Sequence, residues 1–77
     1  MPTVRVLNGP NQNQVYHLKG GELVGRDPSN EIQVFAPGVS RRHFQFKSDN
    51  GQWFVEDLGS SNGTYVNNQR IGRVALR

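Results

Sequence analysis

The sequence contains no cysteine. Disulfides and thiolate metal sites are thereby excluded, and the compartment cannot be read from thiol chemistry. Its two histidines, His17 and His43, stand too far apart for metal-ligand spacing. No metal, cofactor or catalytic residue set is expected. There is no long apolar run, so no segment reads as a membrane span. The opening Met-Pro-Thr-Val-Arg-Val lacks the apolar centre of a secretory signal, which makes a cytoplasmic setting the expectation. Internal repeats and low-complexity segments are missing too. So is any convincing amphipathic helix: the best candidate, Ser40–Phe46, has no apolar stripe at i, i+3, i+4.

What remains is a 77-residue chain, enough for one small domain of marginal stability. Its formal net charge is +3. That sign favours an anionic partner without choosing among nucleic acid, anionic lipid and phosphorylated protein. The basic residues are scattered, which argues against a purely charge-driven nucleic-acid binder.

Wherever a period can be read, it is 2. Strands are expected at Thr3–Leu7, Gln14–Leu18, Glu22–Gly25, Ile32–Phe35, Phe44–Lys47, Gln52–Asp57, Thr64–Val66 and Gln69–Ile71, with another beginning at Val74–Leu76. Turn clusters separate them at Asn8–Asn11, Gly20-Gly21, Asp27–Asn30 and Pro37-Gly38. Asn50-Gly51 and Asn67-Asn68 are hairpin signals. Short strands at this spacing indicate an all-β sandwich or barrel.

The stretch Asp57-Leu58-Gly59-Ser60-Ser61-Asn62-Gly63-Thr64-Tyr65-Val66-Asn67 organises the chain. Its glycines, serines and asparagine make a stiff polar loop, well suited to holding a polar ligand. Two more loops concentrate donors: Gly25-Arg26, and Ser40-Arg41-Arg42-His43. In a sandwich these three loops can meet at one rim. Together they offer the donor chemistry for a tetrahedral dianion. A phosphorylated Ser or Thr carries about −1.5 to −2 charge and three acceptor oxygens. Arginine presents a planar fork of donors to such oxygens. Ser40 adds a hydroxyl, and Asn62 has one donor and one acceptor group, as clasping a peptide main chain requires. Each charge-assisted bond contributes roughly 1.5–3 kcal/mol.

Those three blocks, in this order and at this spacing, resemble the signature of the forkhead-associated (FHA) domain. Gly-Arg alone would carry nothing; the long third block is specific. The resemblance covers Thr3 to Leu76 and implies a β-sandwich of short antiparallel and mixed strands, the FHA/SMAD-like fold, whose loops bind phosphothreonine peptides. It implies that Arg26, Ser40 and Arg41 contact the phosphate and that Ser61 and Asn62 hold the peptide. It implies structural roles for Gly25, His43, Gly63 and Asn67. The partner it implies is a phosphothreonine-containing protein, the substrate of a Ser/Thr kinase, with no nucleic acid and no membrane. Family members usually continue through a Gly-Asp turn and two more strands. The expectation is therefore a single FHA domain over residues 1–77 lacking its C-terminal hairpin, with self-association possible through the incomplete edge.

Plainer readings stand beside these. Asn62-Gly63-Thr64 fits an N-glycosylation pattern, but without a secretory signal that reading is set aside. His17 reads as an exposed mid-strand residue. Arg5, Lys19, Lys47, Arg70 and Arg73 read as solvated surface, and Arg42 as rim. Trp53, Phe35, Phe44, Phe46 and Phe54 read as core or sheet-face residues. Were Phe44 and Phe46 exposed, they would suit a nucleic-acid-binding small β-barrel. A phosphate-independent self-association domain is the other competitor.

Overall fold

The computed structural model describes residues 3–7 and 11–76. Among them are nine strands and no helix, hence no helix long and apolar enough to cross a membrane. The strands are β1 (Thr3–Arg5), β2 (Val15–His17), β3 (Leu23–Gly25), β4 (Ile32–Gln33), β5 (Phe44–Asp49), β6 (Gln52–Asp57), β7 (Thr64–Val66), β8 (Gln69–Ile71) and β9 (Arg73–Leu76). Several are shorter than the alternation suggests. β4, for example, stops at Gln33: Val34 N–H still reaches Gly25 O at the end of β3, but the next N–H, that of Phe35, goes to the Asn11 side chain instead of to a strand. β5 runs two residues longer, up to its hairpin turn. The turn expected around Asn8 falls partly outside the described residues.

A five-stranded sheet runs in the order β4-β3-β5-β6-β9. Its pairs are antiparallel except β3–β4, which is parallel. The β1–β2 and β7–β8 hairpins pair separately. The turn signals operate as chemistry demands. Asn50 (φ 51°) with Gly51 (φ 78°), and Asn67 (φ 52°) with Asn68 (φ 67°), put two left-handed residues at each hairpin tip, the conformation that matches strand twist.

The core lies between the large sheet and the two hairpins. Leu18, Val24, Ile32, Phe46 and Val55 are buried there, with Val4, Tyr16, Phe44, Trp53, Ile71, Val74 and Leu76 packed against them. Phe44 and Phe46 meet edge to face with centroids 5.3 Å apart. Phe46 is buried, so this pair offers no exposed stacking platform for bases. Phe54 is on the opposite face of its sheet, under the Arg73 guanidinium at 4.4 Å. Lys47 forms an ion pair with Glu56 on that same face. Phe35 departs from the sequence reading: it is 57% exposed. Strand β4 has ended before it, so no sheet face turns it inward.

Candidate functional site

Beyond β3 the chain keeps its antiparallel bonding to the segment that precedes β5. His43 N–H donates to Val24 O at 2.8 Å, Arg26 N–H to Ser40 O at 3.0 Å, and Asp27 N–H to Arg41 O at 3.2 Å. The segments cross so closely that only glycine fits at 25. A Cβ there would lie 2.1 Å from the Arg41 carbonyl oxygen. Arg26 is thus fixed beside Ser40, with its side chain in solvent.

Ser40 joins three loops. Its carbonyl accepts from Arg26, its N–H donates to His43 Nδ1 at 3.1 Å, and its hydroxyl oxygen accepts from Ser61 N–H at 3.1 Å. The hydroxyl proton stays free to be donated outward. His43 is buried and spans the gap to the third loop, with Nε2 2.8 Å from Gly63 O. Because Nδ1 accepts from an N–H, the ring proton is assigned to Nε2, which donates to that carbonyl. Gly63 itself has φ +85°, a conformation glycine adopts without strain. Asn62 donates from Nδ2 to Gly38 O at 2.7 Å, leaving its amide oxygen and second N–H for other partners.

The loop before Asn62 is built on Asp57. Oδ2 accepts from Gly59 N–H at 2.9 Å and Ser60 N–H at 3.2 Å; Oδ1 accepts from the Ser60 hydroxyl at 2.5 Å and the Thr64 hydroxyl at 2.7 Å. The Ser60 hydroxyl bond is the strongest influence on this carboxyl. Burial opposes it, while Thr64 and the two backbone N–H groups reinforce it, bringing the carboxyl down from 3.8 to about 2. Ser60 is buried as a consequence of this role, while Ser61 and Asn62 face solvent.

Asn30 fastens the other side. Its buried side chain donates from Nδ2 to Asp27 O at 2.8 Å and Arg41 O at 2.6 Å, tying the β3–β4 loop to the β4–β5 loop. Asp27 is held below its usual carboxylate range first by hydrogen bonds from Ser29, then, against desolvation, by the charges of Arg42 and Arg41. Arg26, Arg41 and Arg42 are all exposed.

The structure therefore brings Arg26, Ser40, Arg41, Ser61 and Asn62 to one rim, supported by Gly25, His43 and Gly63. Asn67 stands apart from this network, at the tip of the β7–β8 hairpin. Chemically the rim offers guanidinium forks, an outward hydroxyl and an amide, donor groups of the kind that suit an anion. Sequence reasoning gave no role to Asp57, Asn30 or Gly38. For Asp57 the signal was present: a carboxylate followed at three and seven residues by hydroxyls, across glycines. Asn30 read only as a turn residue, and nothing local revealed that it reaches Arg41.

A profile of the FHA domain matches residues 23–77. The chain is 37% identical over 75 residues to an FHA domain-containing protein of Arabidopsis thaliana, an alignment covering 91% of this chain and 19% of that protein. It is 38% identical over 72 residues to the glycogen accumulation regulator GarA of Mycolicibacterium smegmatis, covering 92% of this chain and 46% of GarA. Among solved structures, a domain studied for phosphothreonine-dependent FHA interactions superposes with a TM-score of 0.86 at 32% identity, over 97% of this chain and 77% of that one. The chain belongs to the FHA domain family. It spans from about a fifth to just under half the length of these curated relatives.

Proposed function

We propose that this chain is a non-catalytic module that binds phosphothreonine peptides. The observation that carries the reading is the convergence at Ser40, where the Arg26 loop, the Ser40–His43 loop and the Ser61–Asn62 loop are bonded to one another through a single residue. In this reading Arg26 and Arg41 give the phosphate their guanidinium donors and Ser40 gives it the free hydroxyl proton. Ser61 and Asn62 hold the peptide main chain. Gly25, His43 and Gly63 shape the backbone that presents them, while Asn67 turns the β7–β8 hairpin that follows. A ligand of this kind suits a chain of net charge +3.

The partner is a protein phosphorylated by a Ser/Thr kinase, met in the cytoplasm, and residues 1–77 act as one binding unit. The experiment is a fluorescence-anisotropy titration with one peptide in phosphorylated and unphosphorylated forms. The phosphothreonine peptide binds and its unphosphorylated twin does not. Equal affinity for both overturns the reading.

A further inference from the structure

We propose that Arg70 is a specificity-determining residue that recognises an acidic group flanking the phosphothreonine. This rests on the phosphopeptide reading of the same rim. The sequence places Arg70 among solvated surface cations. The structure places it against the site.

The register of β7 and β8 pairs Tyr65 with Arg70 and Thr64 with Ile71. Directly opposed residues share a face. Thr64 and Ile71 turn inward, while Tyr65 and Arg70 turn outward. The Arg70 side chain then lies back across Gly63. A Cβ built on Gly63 would stand 2.7 Å from Arg70 Nε and 3.1 Å from Cζ. The guanidinium is thus one residue away from Asn62, next to the main-chain clasp. A peptide held by Asn62 passes within its reach.

Among the described residues this guanidinium also has no carboxylate partner. The sequence has six carboxylates. Glu56 pairs with Lys47, and Asp57 spends both oxygens within its own loop. Glu22 accepts from Lys19 and Gly20, Glu31 from Leu23, and Asp27 from Ser29. Asp49 sits at the far end of the β5–β6 hairpin. A planar fork of donors, held at the edge of an anion site and lacking a carboxylate partner among the described residues, fits a carboxylate or a second phosphate of the ligand.

The test uses a phosphothreonine peptide with neutral flanks and a panel carrying one glutamate at each of the neighbouring positions in turn. A further arm replaces the glutamate with phosphoserine. Dissociation constants are measured for the wild-type chain, R70Q and R70K, with thermal unfolding run alongside. The readout is the ratio of the neutral-flank Kd to the acidic-flank Kd. For the wild type, at least one position raises that ratio to about twofold to fivefold, as one partly exposed ion pair allows. R70Q brings the ratio close to one, and R70K retains part of it. A larger gain from phosphoserine than from glutamate identifies a second phosphate as the preferred group, and the reverse identifies a carboxylate. A ratio near one in the wild type overturns the inference. So does a ratio that R70Q leaves intact, including the case where R70Q weakens all peptides alike, because that is the mark of a purely structural role. If the wild type fails to distinguish phosphothreonine from threonine, the broader reading falls and this one falls with it. Phosphothreonine-dependent binding with a flat acidic profile sinks the Arg70 assignment alone.

Discussion

The α-carbon of Gly25 faces the carbonyl of Arg41 so closely that a methyl group on it would lie 2.1 Å from the oxygen. No side-chain rotation relieves such an overlap, because both partners are backbone. Gly25→Ala must therefore push apart the two segments that hold Arg26 beside Ser40. Overpacking of this kind costs about 1–3 kcal/mol. The expected outcome is a lower urea midpoint together with loss of phosphothreonine-peptide binding. A variant of wild-type stability and affinity would contradict the close crossing.

Asp57 makes a prediction about pH. Its carboxyl is held at about 2, below its ordinary 3.8, by the four hydrogen bonds of its loop. A depressed folded-state value means that the ionised form is the one stabilised by folding. The contribution is complete above about pH 4 and is lost as pH falls from about 4 towards 2. Asp57→Asn keeps one acceptor but presents an amide to two N–H donors, costing about 1–3 kcal/mol at neutral pH. Glu22, Asp27 and Glu56 are also lowered and add to the acid slope of the wild type. The measurement is thus the difference in unfolding free energy between the wild type and Asp57→Asn. That difference is constant above pH 4 and shrinks below it.

Much of this architecture was legible in the residues, and the exceptions share a cause. Period-2 alternation located the strands, and Asn50-Gly51 and Asn67-Asn68 announced their hairpins, because both signals are local. The three polar blocks were visible for the same reason. Phe35 was misread because alternation does not reveal where a strand loses its bonding partner. Asn30 was missed because its partner, Arg41, is eleven residues away. Arg70 is exposed, as its sequence reading expects, but its contact with Gly63 is reached only through the β7–β8 register. What the sequence conceals is the contact that depends on another loop's path.

His43 supplies the third prediction. It is buried, and its ring connects Ser40 N–H to Gly63 O. His43→Ala leaves one donor and one acceptor without partners in a partly enclosed space. A cost of about 2–3 kcal/mol is expected, each orphaned group contributing its share of desolvation. The more specific consequence is local. Amide exchange at Ser40 should accelerate more than exchange in the β5–β6 hairpin, because the bond lost is Ser40's own. Uniform acceleration across both would show that the ring is generic core packing, with no particular hold on the Ser40 loop.

Arg26 separates binding from stability. Its side chain is exposed, and its structural bonds are made by its backbone: its N–H to Ser40 O, and its carbonyl from Gln33 Nε2. Arg26→Ala keeps both. Its stability should stay within about 0.5 kcal/mol of the wild type, as for other surface substitutions. Its affinity for a phosphothreonine peptide should drop about tenfold to a hundredfold, the loss of one charge-assisted contact to a dianion. Arg26→Lys keeps the charge and loses the planar fork, so its affinity should lie between the two. Ser40→Ala provides the contrast. It removes the acceptor of the Ser61 N–H as well as the outward hydroxyl, so stability and affinity should fall together. Isothermal titration and thermal unfolding on the same samples distinguish the two patterns. If Arg26→Ala bound as tightly as the wild type, the phosphate would have to sit elsewhere on the molecule, and the convergence at Ser40 would need another purpose.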